Sequence, residues 1–157
     1  MGQRVYKQIF ENVSIAAIQD VFTLKAGAAN GLELHQIDLS AGGVTSPAEI
    51  RLRLKIGSAT VTLGSGGTNV TPSNASSGDT KASTVTLHCN DTTQATTTGA
   101  FRNVGAWQWN VLVPFQYLPA PEDREEIAAA EAIILDIPGA PSAATLVSGS
   151  ISWREAT

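Results

Sequence analysis

The sequence predicts an all-β protein, an antiparallel two-sheet sandwich of jelly-roll type, on three observations. Apolar and polar residues alternate in short runs, the pattern of half-buried strands. Each run is closed by a cluster of Gly, Asn, Asp or Ser, the residues that suit turns. Only one segment has the composition of a helix. About eight or nine short strands with polar connections and so little helix are the makings of a sandwich.

The first runs are RVYKQIF at 4–10, SIAAIQDVFTLKA at 14–26 and LELHQIDL at 32–39. Alternation is cleanest in EIRLRLKIG at 49–57, where Ile50, Leu52, Leu54 and Ile56 face one way and Arg51, Arg53 and Lys55 the other. That strand is expected to have one wet face. Between 64 and 99 only TVTLHCN at 84–90 is patterned as a strand. WQWNVLVPFQYL at 107–118 is β-rich, with Pro114 demoting its centre to an edge, a bulge or the junction of two short strands. Because NVLVPF is apolar almost throughout, this strand is expected to be covered on both faces, at the sandwich centre or under a neighbouring subunit. EDREEIAAAEA at 122–132 places acids and then alanines after Pro121 and reads as helix or loop. AIILDI at 132–137 and TLVSGSISW at 145–153 complete the set.

The 157 residues make a single domain, 1–157, large enough for its own core. The stretch LGSGGTNVTPSNASSGDTKAS at 63–83 offers almost nothing to bury, and the pieces on either side hold too few strands for separate cores. Residues 64–83 are therefore read as a long loop or arm on the sandwich. Its serines and threonines tolerate extended backbone and suit a segment ordered by contact with another chain, through strand addition to a neighbour's sheet.

Charged residues are only 15% of the chain and the net charge is −4. No basic stripe exists to neutralise phosphates, which excludes nucleic acid as the expected partner. So few charges, together with an apolar run at 107–115 too long for one monomer's core, predict a homo-oligomer. No stretch approaches the length of a membrane span, and MGQRVYKQIF lacks the apolar centre of a signal peptide, so a soluble protein made in a cytoplasm is expected. Cys89 is the single cysteine, which rules out an intrachain disulfide. Neither a metal nor a cofactor is expected.

Several residues invite chemical readings. His88 and Cys89 stand together, but neighbours on a strand point to opposite faces, so a buried thiol beside a solvent-facing imidazole is expected rather than a dyad. His35 reads as a strand histidine. Glu122, Asp123, Glu125 and Glu126 would be the acids of a hydrolase, or calcium ligands, but their spacing is irregular; a solvated turn or helix start is favoured, with a subunit contact through Arg124 next. Trp107 and Trp109 share one face and are expected in the core, with a sugar-stacking platform as the alternative. GSGG at 64–67 lacks the lysine of a phosphate loop and is read as a turn. Asn12, Asn69, Asn74 and Asn90 begin Asn-x-Ser/Thr triplets that are expected to arise by chance in so hydroxyl-rich a chain.

In order along the chain, RVYKQIFENVSIAAIQDVFTL, LELHQIDLS, LGSGGTNVTP and PAPEDREE resemble a group of short proteins encoded among the structural genes of tailed bacteriophages. In that group the acidic segment is usually more proline-rich than PAPEDREEI. The resemblance implies a virion component made in the host bacterial cytoplasm. It points to a jelly-roll cement or decoration protein on the capsid, or else to a tail-associated or receptor-binding module. It implies no catalytic residues. The expected partners are copies of the chain itself, as a homotrimer, and the major capsid protein or another virion protein. Contact residues would be Thr68, Asn69, Val70 and Thr71 of the arm, Trp107, Trp109 and Arg124. A shell repeats one site around symmetry axes, so a small symmetric oligomer gains by avidity.

Overall fold

The chain folds back on itself once, and the resulting long hairpin rolls up into two sheets. A computed structural model describes residues 4–155; the N-terminal MGQ and the last two residues lie outside the described residues. The strands are β1 Val5–Ile15, β2 Gln19–Lys25, β3 Leu32–Gly42, β4 Glu49–Gly57, β5 Val61–Thr62, β6 Thr68–Val70 and β7 Ser73–Asn74. After them come β8 Thr86–Asp91, β9 Thr96–Thr97, β10 Phe101–Asn110, β11 Phe115–Tyr117, β12 Glu126–Ile127, β13 Ala132–Ile137 and β14 Thr145–Glu155. Antiparallel pairs join β1 to β14, β2 to β13, β3 to β11 and β4 to β10, as in a hairpin. Rolling then lays β14 against β3 and β13 against β4. Sheet one therefore reads β11-β3-β14-β1 and sheet two β10-β4-β13-β2, the strand order of a jelly roll.

Side chains from the two inner faces fill the space between the sheets. Ile50, Leu52, Leu54 and Ile56 point inward as their spacing requires, against Phe22, Leu39, Ile133 and Leu135. At one end Trp153 is fully buried and stacks on Tyr6 with ring centroids 6.0 Å apart.

The expected wet face of β4 holds at Arg51, which is exposed, and partly at Arg53, but not at Lys55. Lys55 is only 4% exposed, because the outer face of sheet two carries a second layer. Residues around β5 and β9 lie over it, and Val61 and Ala95 pack on Ala132 and Ile134 of β13. This layer explains why every residue of β13 is buried. Beneath it Asp136 gathers the cations: Lys55 Nζ lies 2.9 Å from Oδ2, and Arg53 Nε donates to Oδ1 at 3.0 Å.

The run 107–118 is not one covered strand. It breaks at Pro114 into β10, the edge of sheet two, and β11, an edge of sheet one, so the position expected at the sandwich centre is in fact lateral. Trp109 Nε1 donates to the Val113 carbonyl at 2.7 Å and fixes the turn between them. The segment 122–132 forms no α-helix. A single 3-10 turn at Pro121–Asp123 gives way to β12, and Ala130 adopts φ 67°. Arg124 is drawn to the buried carboxylate of Glu33, which holds this segment in extended form against β3.

Residues 64–83 are ordered by their own chain. They form a strap that crosses one side of the sandwich, lending β6 to the outer edge of β8 and β7 to the outer edge of β1. Gly67 lets the strap lie close: a Cβ there would stand 2.2 Å from the carbonyl oxygen of Cys89. The Ala75 amide donates to Val5 O at 2.8 Å, Arg4 Nε meets Asp79 at 2.9 Å, and Tyr6 OH donates to Lys81 O at 3.3 Å. The physical reason is local. Both β1 and β8 present unpaired backbone that a Ser- and Thr-rich segment can satisfy.

Candidate interaction surface

In a rolled hairpin, every odd-numbered connection of the eight core strands falls at one end. Here those connections are the loops 16–18, 43–48, 111–114 and 138–144, each passing from one sheet to the strand of equal rank in the other. They run side by side in the order 111–114, 43–48, 138–144, 16–18, and the first two are tied by Val111 N–H donating to Ala48 O at 3.0 Å. Not one Asp, Glu, Lys, Arg or His occurs in the four loops. Four large aliphatic side chains are exposed at this end: Ile18 at 44%, Leu112 at 48%, Val113 at 56% and Leu146 at 45%. A furrow of about 500 Å³ separates the loops 43–48 and 138–144 and is floored by small residues. The opposite end is acidic, carrying Glu122, Asp123 and Glu126 exposed to solvent. Glu49, exposed at the start of β4, is the one charge at the rim of the four-loop end. An end whose loops carry no charge but protruding aliphatic groups is suited to contact with another protein surface.

The sequence candidates distribute as follows. Trp109 is buried, while Trp107 is half-buried and packs edge-on against Phe115 and Tyr117 at centroid distances of 5.3 and 5.5 Å. Both indoles pack with the core, Trp109 within it and Trp107 against it. The Trp107 ring lies over Gly105, where a Cβ would come within 2.2 Å of it. Thr68, Asn69 and Thr71 are exposed and Val70 is half-buried, so they sit on the surface although β8 orders them. Arg124 pairs within its own chain, its Nη1 lying 2.9 Å from Glu33 Oε1.

His88 and Cys89 do point to opposite faces. The imidazole meets Asp91 at 2.9 Å, and the thiol is buried in the core, where burial first and the Asp91 charge second push its pKa up to about 12. Such a thiol is no nucleophile at neutral pH. Asn90 is buried and accepts from Gln19 Nε2 at 3.3 Å, so its triplet cannot accept a glycan. Among the described residues, no group of three or more His, Cys, Asp or Glu could hold a metal ion.

His35 belongs to a charged cluster that sequence reasoning missed, because its members come from two strands far apart in the chain and a loop. Its Nε2 lies 3.2 Å from Glu33 Oε1, and Arg124 and Arg154 pair with the same carboxylate. Burial pushes Glu33 up, but the Arg124 hydrogen bond and the Arg154 and His35 charges outweigh it and hold the carboxyl below its usual range. Burial, then the charge of Arg124, lowers His35 below the ordinary imidazole value of 6.5. A histidine with a depressed folded pKa takes up its proton more readily in the unfolded chain. Its contribution is complete above 6.5 and is lost as pH falls through the folded value. Stability should therefore fall on acidification from about pH 7 to about pH 5 less steeply in His35→Gln than in the parent. Urea unfolding across that range measures it; equal slopes would remove His35 from the account.

The outer face of sheet one is uncovered and holds a groove of about 510 Å³. Ser148 and Ser150 lie along it, with Ile9 and Glu11 on one side and Asp38 and Gln116 on the other. Asp38 accepts from Gln36 at 2.6 Å, Gln116 at 3.0 Å and Ser150 at 3.2 Å. Comparison with known proteins finds no family model, no curated protein and no solved structure that matches this chain.

Proposed function

We propose that this protein is a non-enzymatic structural component of a tailed-bacteriophage virion, a cement or decoration protein that binds an assembled shell as a small symmetric oligomer. The observation that supports this reading most directly is the end whose four loops carry no charge, with its four exposed aliphatic residues. In a chain of net charge −4, loops without charge can approach a protein surface with only Glu49, at the rim, as an ion to desolvate. Repetition of one shell site then turns modest contacts into firm attachment through avidity.

The test is to pellet the protein with assembled shells of the phage that encodes it. Ile18→Asp combined with Leu146→Asp should lower occupancy by about tenfold or more, since each carboxylate would be buried unpaired in the contact. Both parent residues are about half exposed, so thermal unfolding should change little. Undiminished occupancy would reject this end as the docking surface. A second reading, a tail-associated or receptor-binding module that holds a carbohydrate, is favoured by the groove on sheet one. Its hydroxyl, amide and carboxylate groups beside Ile9 match the mixed polar and apolar faces of a sugar.

A further inference from the structure

Backbone that a sheet leaves unpaired is the most general docking device a β-protein has, so the edges of the two sheets set what can be added to them. Three of the four terminal strands are short: β11 and β6 have three residues each and β7 two. The fourth, β10, has ten. A register shift between Asn103 and Gly105 interrupts it, after which Gly105–Asn110 pairs regularly with β4. Val111 N–H bonds to Ala48 O in continuation of that register. In an antiparallel ladder the bonding direction alternates, so Gly105, Trp107 and Trp109 bond inward to β4 while Ala106 and Gln108 turn their N–H and C=O groups outward.

We propose that β10 is the contact surface for the same strand of a second copy of this chain, paired antiparallel about a two-fold axis at Trp107. The edge is self-complementary. Rotation about Trp107 sets Ala106 opposite Gln108 of the second copy, and the outward N–H and C=O groups of both residues are satisfied in both chains. Charge selects this edge as well. Arg102 is the only charged residue between 101 and 118, so chains of net charge −4 meet here without carboxylates facing each other. The same side of the sandwich exposes Phe101, Leu112, Val113 and Leu118, which flank the strand and would be buried beside it. No residue of Gly105–Asn110 is proline or lysine, the residues that commonly blunt an edge. An isologous contact closes after two copies and leaves no open edge to polymerise. The proposal rests on the oligomeric part of the functional reading and replaces the trimer expected from the sequence with a two-fold unit.

Sedimentation of the whole chain at tens of micromolar should show a dimer. Gln108→Ala keeps the outward N–H and should remain dimeric. Gln108→Pro removes that donor without touching a bond to β4, and should raise the dissociation constant at least about tenfold. Should the proline variant fail to fold, hydrogen exchange on the parent decides. The amides of Ala106 and Gln108 should exchange slowly in concentrated samples and quickly on dilution. A monomeric parent, a dimer undisturbed in folded Gln108→Pro, or exchange at these two amides that ignores concentration would overturn the pairing. Shell pelleting keeps the two proposals apart: dimers that ignore shells would defeat the function and leave the edge contact standing, and shell-bound monomers would defeat the edge contact and the oligomeric part of the function while leaving shell binding standing.

Discussion

Replacing Asp136 by alanine is expected to cost about 3–5 kcal/mol of folding stability, because it leaves the Lys55 ammonium buried without its partner. Asp136 is completely buried and receives Lys55, Arg53 and Gln94 Nε2, the last at 3.1 Å. Arg53 is partly exposed and can turn toward water; Lys55 cannot, since Phe101 covers it with its nitrogen 4.6 Å from the ring centre. The nearest alternative anion, Asp20, stands 3.9 Å away, and its carboxyl is itself pushed upward by burial. Replacing Lys55→Met and Asp136→Leu together should recover most of the loss, because a matched pair of apolar side chains leaves no ion unsolvated. Urea unfolding of the three proteins measures the effect. A loss below about 1 kcal/mol in the single variant would mean that Asp20 or water takes over Lys55.

Glu155→Ala is the second large effect, about 3 kcal/mol, and it should act on the strap as well as on the core. Glu155 is 5% exposed and accepts from Ser83 Oγ, from the Thr84 amide at 3.0 Å and from Thr84 Oγ1 at 2.9 Å. It therefore pins the far end of the segment 64–83 to the last turn of β14. Removal leaves one amide and two hydroxyls without their acceptor, while Glu155→Gln retains part of that capacity and should fall between. Limited proteolysis should cut within 71–83 faster in Glu155→Ala than in the parent. Destabilisation without faster cleavage would confine the carboxylate's role to the core.

What could be read from the sequence was whatever depends on neighbours along the chain. The alternation of Ile50, Leu52, Leu54 and Ile56 gave their face, and the opposed directions of His88 and Cys89 followed from the pleat alone. The two-sheet architecture followed from the spacing of such runs. Hidden features depend on distant partners. Lys55 looked like a solvent residue because Asp136, 81 positions away, is invisible to local periodicity. The pairing of Arg124 with Glu33 was invisible for the same reason, since Glu33 lies far back in the chain. The strap was read as reaching outward, since nothing in its composition names β1 and β8 as the strands it pairs with. The alanines at 128–130 favour a helix, but tertiary pairing of β12 to β3 overrides that preference. The grouping of four uncharged loops could not be seen at all until the rolled topology brought them to one place.

The pairing of β14 between β1 and β3 also sets when the molecule can exist. Sheet one is assembled from strands near opposite ends of the chain, so its central member is synthesised after both of its neighbours. Until then β1 and β3 face a gap that no other strand of the chain fills, and the inner face carrying Tyr6, Phe10, Ile37 and Leu39 has no finished partner. Such distant closure belongs to the slow class of folding reactions, on the order of milliseconds to seconds. On the ribosome the end built from the four loops is accordingly incomplete, because loop 138–144 has its geometry only once β14 is in place. The assembled four-loop end is thereby confined to finished molecules, a timing control written into strand order rather than into any residue.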